Sequence, residues 1–319
     1  MRLKRLARSL AFAAALIATA SAATVYRAKA RDTRALRDHP PEGQFVQVGN
    51  ARVHVLVKGT GPDLILIHGA SGSSRDFSFD LIDRLSPRYR VLAFDRPGLG
   101  HSDPLPGDEA SLAAQVAVLK AAADQLGATR PILVGQSFGG TVALSWALDH
   151  PAAALVTIAS PSLPWPGTLD PWYRLNENPY ARTILTELVA AWVPESYVSS
   201  AITAVFAPQP VPSGYLAHLG NDLTLRRTAL AANVQQINTL RPQVVAMENR
   251  LTALTLPIEM VHGDADTIVP LSIHSGPLAQ RLPNAHLTVL PGVGHMPHHT
   301  NPDAVLAAID RAAARAGLR

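Results

Sequence analysis

The chain has 319 residues, 47% of them hydrophobic and 16% charged. This excludes a disordered or polyampholyte chain and fits one large α/β core with an elaboration. The net charge of +4 would suit a polyanionic partner, but residues 1–38 hold nine basic and two acidic side chains, leaving 19 basic and 22 acidic ones for the rest. The body is therefore slightly acidic and has no basic stripe interleaved with aromatics, which argues against nucleic-acid binding. With no cysteine, disulfides, thiolate metal sites and a Cys nucleophile are excluded, and the redox compartment is left open.

In chain order, Arg2, Lys4, Arg5 and Arg8 precede an uncharged stretch from Ser9 to Tyr26. As a helix rising about 1.5 Å per residue it spans roughly 27 Å, close to the ~30 Å hydrocarbon core of a bilayer. Residues 1–26 thus read as a membrane anchor or a signal segment. Ala20-Ser21-Ala22 fits a cleavage site, whereas the five positive charges from Arg27 to Arg37 favour an uncleaved anchor. Basic residues flank the stretch almost equally, so orientation stays open. The expected location is the inner membrane of a bacterium, the alternative an exported chain with its leader removed. Residues 27–44, with His39-Pro40-Pro41-Glu42-Gly43, read as a linker.

A hairpin is predicted from Phe45–Val48 and Arg52–Lys58 around Gly49-Asn50. Short apolar runs follow at Leu64–His68, Arg90–Phe94, Pro131–Val134, Ala154–Ile158, Pro257–Val261 and Ala285–Leu290, with helical stretches such as Ser111–Leu126 and Thr141–His150 between them. The alternation predicts an α/β fold, a mostly parallel eight-stranded sheet with helices on both faces. It lapses from 161 to 254. Residues 161–212 carry nine prolines and residues 162–216 eight of the 17 aromatics, so 161–254 is expected to be a helical cap inserted after strand 6. The core then comprises residues 45–160 and 255–319. The cap aromatics could line an apolar pocket, but most are expected to form the cap's own core.

Gly135-Gln136-Ser137-Phe138-Gly139-Gly140 lies between a strand and a helix. Such a turn exposes a Ser nucleophile, and its glycines let strand and helix approach closely. A Ser nucleophile needs a base and a group that orients the base, in chain order Ser, acid, His. Asp264 and Asp266 follow the strand Pro257–Val261, and His295 follows the strand Ala285–Leu290. All three loops fall at the carboxyl edge of the sheet, where such folds bind ligands. After Leu64–Ile67, His68-Gly69-Ala70 would supply one oxyanion-hole N–H from Ala70, with the other from Phe138. The His68 side chain itself reads as structural.

Together with Asp95-Arg96-Pro97-Gly98-Leu99-Gly100-His101-Ser102, Gly263-Asp264-Ala265-Asp266 and Gly294-His295, these motifs resemble those of the α/β-hydrolase superfamily across roughly residues 45–316. The resemblance selects Asp266 as the acid and leaves Asp264 as a turn residue; Asp95 and Arg96 receive no chemistry. It implies a Ser137-His295-Asp266 triad and a serine hydrolase acting on a carboxylic ester, small or medium in size, or a lactone. Alternatives are a C–C bond hydrolase of a ring-cleavage product, a thioesterase or an acyltransferase; a different class is a non-catalytic scaffold that binds a ligand. The Asp95–Ser102 segment is similar to those of epoxide hydrolases and haloalkane dehalogenases, but their nucleophile is Asp where this chain has Ser137. No cofactor is expected. His295, His298 and His299 lack a neighbouring carboxylate pattern in sequence, so no metal is expected either, and His298 and His299 read as loop or surface residues. The expected partners are an apolar acyl substrate and, through the N-terminal segment, a membrane.

Overall fold

A computed structural model describes residues 2–107 and 109–318. It begins with helix α1 (Arg2–Asp38). This corrects the linker reading for residues 27–38: the helix continues unbroken, and only the segment from His39 to Gly43 is irregular. The reason is tertiary. Arg27 donates to Ala191 O (2.6 Å), Arg31 to Val193 O (2.7 Å), and Asp32 accepts from Arg227 (2.7 Å), while Ala28 and Ala35 are buried.

The antiparallel hairpin β1 (Gln44–Val48) and β2 (Ala51–Lys58) leads to β3 (Asp63–Ile67), short helices α2 (Arg75–Ser78) and α3 (Leu81–Leu85), and β4 (Arg90–Phe94). Helix α4 (Leu112–Gln125), β5 (Ile132–Gln136), α5 (Phe138–Asp149) and β6 (Ala154–Ile158) follow. Ser111 caps α4, its side chain accepting from Ala114 N–H, as expected of an N-cap serine. The eight strands run in the order β1-β2-β4-β3-β5-β6-β7-β8, with β2 antiparallel to both its neighbours and the remaining pairs parallel.

Between β6 and β7 the chain forms α6 (Pro171–Leu175), α7 (Pro179–Trp192), α8 (Glu195–Phe206), α9 (Tyr215–Leu219), α10 (Asn221–Thr224) and α11 (Arg227–Glu248). Helices α10 and α11 are separated at Leu225 and Arg226. Then come β7 (Ile258–Gly263), α12 (Ser275–Arg281), β8 (Ala285–Leu290), α13 (Pro297–Thr300) and α14 (Pro302–Arg315).

Alternate strand residues feed opposite layers, as the period of two requires. Ile65, Leu92, Leu133 and Met260 pack with α4, α5 and the end of α11, whereas Leu64, Val91, Val134 and Val261 pack with α2, α3 and α14. The cap aromatics depart from expectation. Phe206 and Tyr215 are buried, but Tyr180, Trp192 and Tyr197 are exposed.

Candidate active site

Ser137 sits between β5 and α5 with φ +50° and ψ −124°, a conformation that a residue bearing a Cβ adopts only when its surroundings over-determine it. The surroundings are the close approaches that the glycines allow. A Cβ on Gly139 would collide with Ile67 O, one on Gly140 with Ser160 Oγ, and one on Gly135 with the backbone of Gly139. The Ser137 N–H is tied to Ile158 O at 2.8 Å. Ser137 is thus pinned from both strands flanking β5, with Phe138 N–H in the first turn of α5.

Asp266 follows β7 and is buried. Its Oδ1 accepts from the Ile268 and Val269 N–H groups (2.9 Å each), and its Oδ2 from His295 Nδ1 at 2.7 Å. A second imidazole, His262, reaches the same Oδ2 at 3.2 Å. Its Nε2 is 2.7 Å from Val269 O, a pure acceptor, so Nε2 carries the proton and Nδ1 accepts from Ser275 Oγ at 2.8 Å. Burial would raise the Asp266 carboxyl, but the hydrogen bonds from His262 and His295 outweigh it and hold the group well below the ordinary carboxylate range. An ionised Asp266 can only accept, so the proton in this bond is carried by His295 Nδ1. Asp264 is a turn residue, accepting from Gly292 N–H at 2.6 Å.

The β3–α2 loop approaches from the other side. A Cβ on Gly69 would lie 3.2 Å from the Ser137 Cβ, so the backbone leading into Ala70 runs alongside Ser137. Arg96 fixes this loop: its Nε donates to His68 O (3.0 Å) and its Nη2 to Gly69 O (2.9 Å), while its guanidinium stacks 4.2 Å from the Phe138 ring centroid. Across each trans peptide the next N–H, of Gly69 and of Ala70, points opposite to the carbonyl that Arg96 holds. Burial, then the Arg96 charge, pull the His68 imidazole down to about 4, so it stays neutral and its Nε2 accepts from Arg96 N–H (2.9 Å).

A model of the alpha/beta hydrolase family matches residues 64–308. The chain is an alpha/beta hydrolase. It is 30% identical to a pimeloyl-[acyl-carrier protein] methyl ester esterase of Edwardsiella ictaluri, over 77% of this chain and 91% of that one. Among solved structures it resembles a membrane phospholipase A described as a bacterial virulence factor (TM-score 0.66, 25% identity, 98% of this chain and 99% of that chain). It also shares the fold of a thermophilic esterase from Thermogutta terrifontis (TM-score 0.69, 22% identity, 86% and 99% covered).

Two features of this alpha/beta hydrolase were not read from its sequence. His298 and His299 are not surface residues: both side chains are buried, and both Nε2 atoms reach Asp76 of α2, at 3.0 and 2.8 Å. Tyr215 of the cap donates to the same carboxylate at 2.6 Å. The ligating atoms of Asp76, His298 and His299 lie within 4.8 Å of one another, the spacing of a metal site, but here both carboxylate oxygens are taken by donors. Burial would raise Asp76, yet His298 and His299 hold it well below the ordinary range; burial pushes His298 down to about 4. This knot joins the core, the segment after His295 and the cap.

The second feature is how the cap holds both site loops. The Gln209 amide brackets the His295 loop, donating to Gly292 O (2.7 Å) and accepting from Gly294 N–H (2.9 Å). Asn233 of α11 accepts from Ser71 N–H at 2.7 Å, next to Ala70, and Gln236 accepts from Arg96 and donates to Pro97 O (2.8 Å).

Proposed function

We propose that this hydrolase cleaves carboxylic esters of apolar acyl chains through a Ser137-His295-Asp266 triad, anchored to a membrane by residues 1–26. The observation that carries the chemistry is the 2.7 Å bond from His295 Nδ1 to Asp266, which frees Nε2 to take the Ser137 proton. Ser137 Oγ then attacks the acyl carbonyl, and the oxyanion is met by the N–H groups of Ala70 and Phe138. As the tetrahedral intermediate collapses, His295 returns the proton to the leaving alcohol. A water deprotonated by His295 attacks the acyl-enzyme and releases the acid, restoring Ser137.

Ester chemistry is favoured by the esterase relative and by the neighbour described as a membrane phospholipase A, whose likeness covers 98% of this chain, α1 included. The anchor reading is supported by α1 itself. Its most apolar 18-residue window is unburied by the rest of the chain, leaving Leu6, Leu10, Phe12, Leu16 and Ile17 exposed. The Thr19 and Thr24 hydroxyls donate to Ala15 O and Ala20 O (2.9 Å each), satisfying them within the helix as hydrocarbon requires. Residues 161–254, which supply Gln209, Asn233 and Gln236, act as a cap over the site.

The decisive experiment is fluorophosphonate labelling of the full chain and of Ser137→Ala, with turnover of p-nitrophenyl esters of graded length. Labelling at Ser137 and a kcat lower by up to ~10⁶-fold in the variant are expected; unchanged ester turnover without Ser137 would sink the mechanism. A full-length protein resistant to carbonate extraction is expected of the anchor, and a shortened soluble one refutes it.

A further inference from the structure

Where α1 leaves its uncharged stretch, it forms one wall of a groove of about 840 Å³ whose other wall is the α7–α8 junction. Tyr26, Arg27, Arg31 and Arg34 line it from α1, Trp192 and Glu195 from the cap. We propose that this groove binds the phosphate headgroup of an anionic glycerophospholipid of the surrounding leaflet, at a site separate from the catalytic one. The proposal rests on the anchor reading of α1.

The height is right for a headgroup. The uncharged run ends at Tyr26 and the first cation is Arg27, so the groove starts on the turn where the helix passes from hydrocarbon to the phosphate layer. Two elements place an amphipathic aromatic at this level, where Tyr and Trp concentrate in membrane proteins. One is Tyr26; the other is Trp192, whose Nε1 donates to Thr24 Oγ1 at 3.1 Å.

The charge is also right. Arg27, Arg31 and Arg34 recur at i, i+4 and i+7, which puts three cations on one helix face. Like charges so placed repel, and a phosphate lodged among them offsets the repulsion. Arg27 is held by one bond from Nε to Ala191 O (2.6 Å) and lies 4.8 Å from the Trp192 ring centroid, leaving its terminal N–H groups for a ligand. Arg31 spends Nη1 on Ala190 O and Val193 O and has Asp222 3.4 Å from Nη2, and Arg34 is exposed. Against these stand Glu195 in the groove and Asp222 behind Arg31, a local excess of one positive charge that suits a singly charged phosphodiester. The acyl chains of such a lipid would run down the exposed apolar flank of α1.

The test is native mass spectrometry of the full chain in detergent, titrated with phosphatidylglycerol, phosphatidylethanolamine, phosphatidylcholine or inorganic phosphate. Arg34→Glu alters the groove without touching the Arg27 and Arg31 bonds to the cap. Lys29→Glu makes the same charge change on α1 outside the groove. Expected are one retained phosphatidylglycerol at least tenfold favoured over the zwitterionic lipids, a tenfold or greater loss in Arg34→Glu, little loss in Lys29→Glu, and equal turnover of a soluble ester in all three proteins. Equal retention of the zwitterionic lipids, equal loss in both variants, or displacement of the lipid by equimolar inorganic phosphate would overturn the site. The same spectra give the intact mass. A chain lacking residues 1–22 refutes the anchor reading alone, and the lipid comparison on that shorter chain then decides the groove.

Discussion

Exchanging Asp266 for Asn tests the proposed mechanism at one atom. Asp266 Oδ1 accepts two backbone N–H groups at 2.9 Å each, and Oδ2 faces His295 Nδ1 at 2.7 Å and His262 Nε2 at 3.2 Å. An Asn side chain must keep its carbonyl oxygen toward the two backbone donors, because an NH₂ there would oppose N–H with N–H. Its NH₂ then faces His295, which can accept only by moving its own proton from Nδ1 to Nε2. Nε2 in turn can no longer take the proton of Ser137. In Ser-His-Asp hydrolases this tautomer change costs about 10⁴-fold in kcat, equivalent to about 5.4 kcal/mol of transition-state stabilisation. Substrate contacts are untouched, so KM should move less than about threefold. The assay is steady-state hydrolysis of a p-nitrophenyl ester, with thermal melting to show that Asp266→Asn is folded. A folded variant within tenfold of the parent kcat would show that His295 is not oriented by Asp266 and would refute the reasoning.

Gln209→Ala frees the loop carrying His295 from both of its amide bonds; kcat on a soluble ester should fall about tenfold or more, as small misplacements of reacting groups do, and a change below twofold would count against a positioning role. Asp76→Ala strands the donors of His298, His299 and Tyr215 in a buried site and should cost about 3 kcal/mol or more, read as a clear drop in melting temperature; an unchanged melt removes the knot as a stabilising element. Burial holds His68, His101, His274 and His298 at about 4, against about 6.5 unfolded. Because the folded values are depressed, the stability they contribute is fully present above about pH 6.5 and is lost as pH falls toward 4, where the unfolded chain binds protons that the folded one refuses. Calorimetric melting temperatures should therefore decline steeply from pH 7 to pH 5, and a flat profile over that range would contradict the neutral, buried assignment.

What the sequence disclosed was local. The buried strands are legible because each is a short apolar run between turn residues, and the Ser137 turn because its strand, glycines and helix are contiguous. Asp266 was separable from Asp264 only through family resemblance, since both follow the same strand; in space they divide plainly, one facing His295 and the other Gly292. The misread parts depend on partners far along the chain. His298 finds its carboxylate 222 residues away, so its neighbourhood in sequence carries no trace of Asp76. Arg27 binds a carbonyl 164 residues away, and without that partner a stretch rich in Arg, followed by two prolines, reads as linker. Gln209 and Asn233 act through single amides on loops from other parts of the fold, and a lone Gln or Asn in a helical insertion has no pattern to betray it.

The same insertion explains why the leader and the site cannot be independent. Helix α11 meets α1 at its first residue, where Asp32 accepts from Arg227 N–H and Nε at 3.2 and 2.7 Å. Six residues on, about 9 Å along the axis, Asn233 accepts from Ser71 N–H beside Ala70. One turn further, Gln236 meets the Arg96 that holds the carbonyls of His68 and Gly69. A rigid helix therefore links the exit of the apolar N-terminal segment to the loop proposed to receive the oxyanion, and packed interiors transmit displacement rather than absorb it. Arg27 and Arg31 of α1 hold the cap, and the cap holds the loops around Ser137.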